Sequence, residues 1–201
     1  MKRYIAVRLY DDGYMASIGK QNLVRKEFAG ELSVVIVFDF PNTITNIKPE
    51  QMESWHKSID ELYAIGIENV RNNYTTKIEA VEFGPDQKVI YSCESEHLFA
   101  TNILFDMEKQ DGLIGKAGSL VAVPNRSLAL IYPINDLQVV GVIKSLCLTV
   151  PKLCHNNPGS LTSEIYWYRN GKFILLPYES TKTGVSFSPP DEFIAVLNSL
   201  S

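Results

Sequence analysis

The chain has 201 residues, 45% of them hydrophobic, enough to bury roughly 70% of the surface its unfolded form would expose. Its 19 basic and 23 acidic residues leave a net charge of −4 with no basic stripe, which argues against nucleic acid as a partner. Apolar stretches such as Leu120–Val123 and Val139–Ile143 are far too short to span a bilayer, so no membrane association is expected.

The opening MKRYIAVRLYDDG lacks the apolar region of a signal peptide, and this points to the cytoplasm. Three cysteines, Cys93, Cys147 and Cys154, are an odd number at irregular spacing, which fits reduced, buried thiols in the same compartment. Tyr4–Tyr10 alternates loosely as a strand and meets Asp11-Asp12-Gly13, a turn signal. After Gly30 comes LSVVIVFDF, residues 32–40, continuously apolar and rich in β-branched side chains until Pro41. A strand of that kind is covered on both faces and belongs in the middle of its sheet.

From Ile47 the period becomes helical. Pro49 suits a first helical turn and Glu50 the positive end of the dipole. Ser58-Ile59-Asp60-Glu61 has the form of a capping box, so a short helix should break near His56–Lys57 and a longer one run from 59 to about 72. Ile59, Leu62, Gly66 and Val70 share one face of it. Gly66 weakens the helix by about 1 kcal/mol relative to Ala, so its use is to let a neighbouring backbone approach.

Lys77–Phe83 and Lys88–Cys93 read as strands joined across Gly84-Pro85-Asp86, and Ser95–Phe105 as a helix. In SLVAVPNRSLALIYP, residues 119–133, two apolar strands flank a bend, with Pro124 and Asn125 expected at its two central positions. Asn135 or Asp136 should cap a helix over Leu137–Leu148 that ends by Pro151. Ser163–Arg169 and Lys172–Leu176 flank Asn170-Gly171, a strong hairpin signal because both residues accept positive φ. Pro189-Pro190 then leads into a closing helix, Asp191–Leu200. The expected architecture is a single α+β domain over residues 1–201, a mixed sheet with helices packed on it and a C-terminal hairpin and helix.

Chemistry is harder to find. No turn demands the arginine at 126, so Arg126 either clamps a carboxylate or phosphate, pairs internally with an acid such as Asp39 at the end of the other apolar strand, or takes a plain surface position. Cys154-His155 and the cluster Cys93, Glu94, Glu96, His97 have no zinc-ligand spacing, so neither a metal nor another cofactor is expected. There is no Gly-x-Ser-x-Gly, the histidines are only His56, His97 and His155, and Gly112, Gly115 and Gly118 lack the Lys-Ser/Thr of a phosphate loop.

Four segments in order, FAGELSVVIVFDFP (28–41), DELYAIGIENVR (60–71), LVAVPNR (120–126) and LTSEIYWYRNGKF (161–173), resemble the YtpQ-like family of uncharacterised bacterial proteins. The family pattern continues Pro-Asn-Arg with Asp where this chain has Ser127, and tends to place Ala where this chain has Gly66. The resemblance implies a shared fold and carries no established reaction or catalytic residues. The expectation is therefore a non-enzymatic cytoplasmic protein-binding module, adaptor or immunity-like, favoured by the ten tyrosines. The alternative is a hydrolase or small-molecule-binding domain with a site near Asp39, Asn125 and Arg126.

Overall fold

A computed structural model describes residues 2–155, 159–181 and 184–200. The fold is α+β, and the chain divides into two compact units, Met1–Thr75 and Thr76–Ser201. Every pairing between named strands is antiparallel.

The first unit contains strand β1 (Ile5–Asp11), helix α1 (Asp12–Ile18), strands β2 (Arg25–Ala29), β3 (Leu32–Phe40) and β4 (Thr43–Asn46), and helices α2 (Pro49–Ser54) and α3 (Ile59–Asn73). As its apolar run requires, β3 is central, with β1 on one edge and β2 and β4 end to end along the other. All residues from Leu32 to Phe38 are buried. Asp11-Asp12-Gly13 is not the turn expected: the Asp11 carboxylate accepts from the Tyr14 N–H at 2.9 Å and so caps α1, because an acid before an otherwise orphaned N–H starts a helix as readily as it makes a bend.

Helix α3 begins as its sequence dictates. The Glu61 N–H donates to Ser58 Oγ at 3.2 Å and the Ser58 N–H donates to Glu61 Oε2 at 2.9 Å. Its buried face is Leu62, Gly66 and Val70, and it packs on β1. A Cβ on Gly66 would lie 2.7 Å from Val7 Cγ1 and 3.0 Å from the Ala6 carbonyl carbon, so the missing side chain sets how closely helix and strand approach. Asn69, one turn on, donates both amide hydrogens, to the carbonyls of Lys2 and Ile5, each at 2.8 Å. This fixes the start of β1.

The second unit holds strands β5 (Lys77–Phe83), β6 (Lys88–Glu94), β7 (Ser119–Asn125) and β8 (Leu128–Pro133), helix α4 (Val139–His155), strands β9 (Ile165–Arg169), β10 (Lys172–Leu175), β11 (Tyr178–Thr181) and β12 (Gly184–Phe187), and helix α5 (Asp191–Ser199). Six strands form one sheet in the order β10-β9-β7-β8-β6-β5, and β11 pairs with β12 alone. Every residue of β7 is buried. The core joins Leu120 and Ala122 of β7 to Val142, Leu146 and Val150 of α4 and to Phe193 of α5. The Trp167 ring meets Phe193 edge-on at 5.1 Å between centroids, and its indole N–H donates to the Ala117 carbonyl at 2.8 Å. Asn170 and Gly171 both have positive φ, 49° and 75°, as a two-residue hairpin turn matching the strand twist needs.

Two expected elements are corrected. Ser95–Phe105 is not an α-helix: only Ala100–Phe105 winds, as a tighter 3-10 segment. Ala100 to Leu104 are all buried, and an amphipathic α-helix, with one stripe inward, does not bury five successive residues. Nor does the helix over Leu137–Leu148 end by Pro151. Helix α4 runs from Val139 through Pro151 to His155. The proline leaves the Cys147 carbonyl without its usual N–H, and Ser180 Oγ lies 3.5 Å from that oxygen.

Candidate functional sites

Asp39 stands at the end of β3 in the first unit, where the Tyr74 hydroxyl donates to its carboxylate. Burial, followed by the hydrogen bond to Asp39 and then by the Asp39 charge, pushes the Tyr74 phenol up to about 12, with Arg8 pulling weakly the other way. The phenol therefore remains a donor at neutral pH, and the bond ties the end of α3 to the end of β3.

Asn125 and Arg126 lie on the β7–β8 turn of the second unit. The turn is displaced from where the sequence put it: Asn125 pairs with Leu128, leaving Arg126 and Ser127 as the central residues. Pro124 falls inside β7, at a register shift between Ala122 and Asn125, where its absent N–H costs no ladder bond. The Asn125 side chain accepts from the Ser127 N–H at 2.9 Å and closes the bend. Around it the backbone is occupied on every side. Arg126 N–H donates to the Gly159 carbonyl at 3.0 Å, its carbonyl accepts from Ala100 at 3.1 Å, and the Pro124 carbonyl accepts from Leu161 at 3.0 Å. Arg126 itself is only 8% exposed, and a Cβ on Gly159 would sit 3.3 Å from its guanidinium. Asn125 and Arg126 thus share one tightly bonded corner, while Asp39 accepts from Tyr74.

Cys93 and Cys147 are buried and Cys154 is half-buried. Burial pushes the Cys93 thiol up to about 12 and the Cys147 thiol to about 11, so neither is a thiolate at neutral pH. Because α4 continues through Pro151, Cys147 and Cys154 lie on one helix, two turns apart. Among the described residues no group of three or more His, Cys, Asp or Glu is arranged to hold a metal ion. Also among them, no helix is long and apolar enough to cross a membrane.

Three features went unseen in the sequence. In the first unit a cavity of about 280 Å³ is lined by Ile5, Leu62, Ile65, Trp55, Lys2 and Lys57. In the second, a cavity of about 360 Å³ includes Pro151, Ser163, Glu164, Leu176, Tyr178 and Ser180 in its wall. There the Tyr178 hydroxyl donates to the Ser163 carbonyl at 2.7 Å and Tyr166 to Glu164 at 2.5 Å, so the polar groups are engaged within the protein. Burial pushes the Tyr178 phenol up to about 12.

The third is the outward face of α4. Val140 is 56% and Leu148 47% exposed, alternating at four-residue spacing with exposed Lys144 and Lys152, and Leu137, 45% exposed, precedes them. The opposite face, Val139, Val142, Ile143, Leu146, Cys147 and Val150, is buried. The signal for this stripe was present as a 3-to-4 spacing, but a helix ended at Pro151 hides its last turn.

No protein-family model matches the chain, and neither a curated protein nor a solved structure matches it.

Proposed function

We propose that this chain is a non-enzymatic, adaptor or immunity-like binding module whose second unit docks an acidic, amphipathic helix of another protein along α4. The observation that carries the reading is the outward stripe Leu137, Val140, Lys144, Leu148 and Lys152. A helix normally turns large aliphatic side chains inward, and α4 already has a complete buried face, so the second apolar row is in excess of what folding uses. Two lysines within that row, on a chain of net charge −4, select a partner whose apolar residues are interleaved with Asp and Glu.

The rival, a hydrolase or small-molecule site at Asp39, Asn125 and Arg126, draws less support. Asp39 already accepts from Tyr74, and Arg126 sits buried at a corner whose backbone groups are hydrogen-bonded. The resemblance to the YtpQ-like family is compatible with either reading.

The test is site-specific photocrosslinking in the producing cells, with a benzophenone side chain at position 144 and, as a control, at exposed Glu82. The expected result is an adduct at 144 alone, joined to a peptide with apolar residues three and four apart and acids between them, and lost in Leu148→Asp. A crosslink to a second copy of this chain, or equal labelling from both positions, would overturn the proposal.

A further inference from the structure

We infer that the cavity of the first unit is a binding site for a small amphipathic monoanion, an apolar body carrying a single carboxylate. It is independent of the α4 surface, which belongs to the second unit.

The cavity lies at the start of β1, beside α3. Ile5, Leu62 and Ile65 form aliphatic walls and Trp55 an aromatic one. The Trp55 ring stands edge-on to buried Phe38 at 5.7 Å between centroids, which favours one orientation of the indole. The volume of about 280 Å³ is close to the lower end of the range in which proteins hold small organic ligands. None of the six lining residues is acidic, and the other two are Lys2 and Lys57. A lysine at such a wall can lay its aliphatic stem along the apolar lining and keep its charge at the rim. Lys2 is exposed and the Lys57 ammonium is bonded to Glu61, so a ligand with an apolar tail and an anionic head fits the lining.

One carboxylate opposes this. Glu61 pairs with Lys57, and its carboxyl is held down to about 2 by that ammonium first and by the Ser58 backbone N–H second. Glu61 keeps its own bond to Ser58, so an incoming carboxylate can share the Lys57 ammonium, which carries three donors. Lys2 is an exposed second cation at the same cavity. With the Lys57 charge already shared with Glu61, exposed Lys2 is the cation that adds to it at the mouth, and the pair suits one negative charge better than two. This favours a monocarboxylate over a phosphate monoester.

The molecule supplies its own reporter. Of its two tryptophans, Trp167 is fully buried in the second unit and Trp55 is partly exposed in the wall of the cavity. The probes are sodium octanoate, octanol and octylammonium, titrated into the full-length chain and read by Trp55 emission and by calorimetry. Octanoate is expected to bind saturably with a Kd of about 1 mM or tighter, with a change in emission that Trp55→Phe abolishes. Lys2→Glu, a change at an exposed residue, is expected to weaken octanoate about two- to fivefold and leave octanol unaffected. Ile65→Trp, which fills the cavity, should abolish binding of both, its fold checked by circular dichroism. Equal affinity for octanoate and octylammonium, persistence of octanoate binding in folded Ile65→Trp, or no saturable binding by 10-fold above that concentration would each overturn the assignment.

Discussion

Gly66→Ala tests the packing of the first unit most directly, because the two effects it combines have opposite signs. Alanine is a better helix former than glycine by about 1 kcal/mol, so on an exposed helix surface the change stabilises. At position 66 the new Cβ would lie 2.7 Å from Val7 Cγ1, 3.0 Å from the Ala6 carbonyl carbon and 3.2 Å from the Val7 nitrogen. Two of these three atoms are backbone, and β1 cannot retreat, since all seven of its residues are paired with β3. Val7 is itself fully buried, so rotation of its side chain meets other core atoms. Overpacking costs about 1 to 3 kcal/mol, and with two of the three contacts on paired backbone the upper part of that range applies, about 2 to 3 kcal/mol; subtracting the propensity gain of about 1 leaves a net loss of about 1 to 2 kcal/mol. The same arithmetic at Ala64, which is exposed on the same helix, gives the control: Ala64→Gly should lose about 1 kcal/mol from propensity alone. In urea, followed through Trp55 emission, the Gly66→Ala midpoint should fall by about 0.5 to 1 M. A Gly66→Ala protein as stable as the parent, or more stable, would refute the close approach of α3 to β1 and the reason given for the glycine.

Glu61 provides a pH prediction: its folded value of about 2 lies below the ordinary 4.5, so the stability it lends is complete above pH 4.5 and is lost as pH falls toward 2. Thermal melts at pH 7, 4 and 2 should show part of the acid sensitivity disappear in Glu61→Gln, and added salt should shrink the difference because the group is exposed. Gly171→Ala should destabilise by about 1 kcal/mol from its φ of 75° alone, since a Cβ there finds no atom closer than Glu108 Oε1 at 4.0 Å; chemical denaturation read by near-UV dichroism measures it. With a thiol-specific disulfide reagent at neutral pH, Cys154 should react first and Cys93 and Cys147 only on unfolding, because burial holds the latter two protonated. Rapid modification of three thiols in the native protein would contradict their burial.

Strongly patterned elements were readable from residues alone. The nearly continuous apolar run of β3 announced a central strand, the two apolar runs of 119–133 announced two strands about a bend, Ser58 and Glu61 announced the start of α3, and Asn170-Gly171 announced its turn. What misled was local chemistry with two uses. Asp11 caps a helix where it was read as part of a turn, Pro124 occupies a strand irregularity where it was read as a turn former, and Pro151 rides inside a helix it was expected to end. In each case the residue's intrinsic preference allowed both outcomes and contacts distant in sequence chose between them. The candidate sites were less legible still. A cavity formed by Lys2, Trp55 and Ile65 joins residues up to 63 positions apart (65 − 2), and nothing in the spacing of a single chain marks such a meeting.

The strand arrangement of the first unit also carries a consequence for how it assembles. Strands β2, β3 and β4 are sequential neighbours, so their pairing closes only short loops and is entropically inexpensive. Strand β1 must wait, for its partners on β3 lie between 21 residues away (Asp11 to Leu32) and 33 (Ile5 to Phe38). The kinetic barrier for this unit is therefore the arrival of the N-terminal strand, and substitutions in β1 should slow refolding more than equally costly ones in β4.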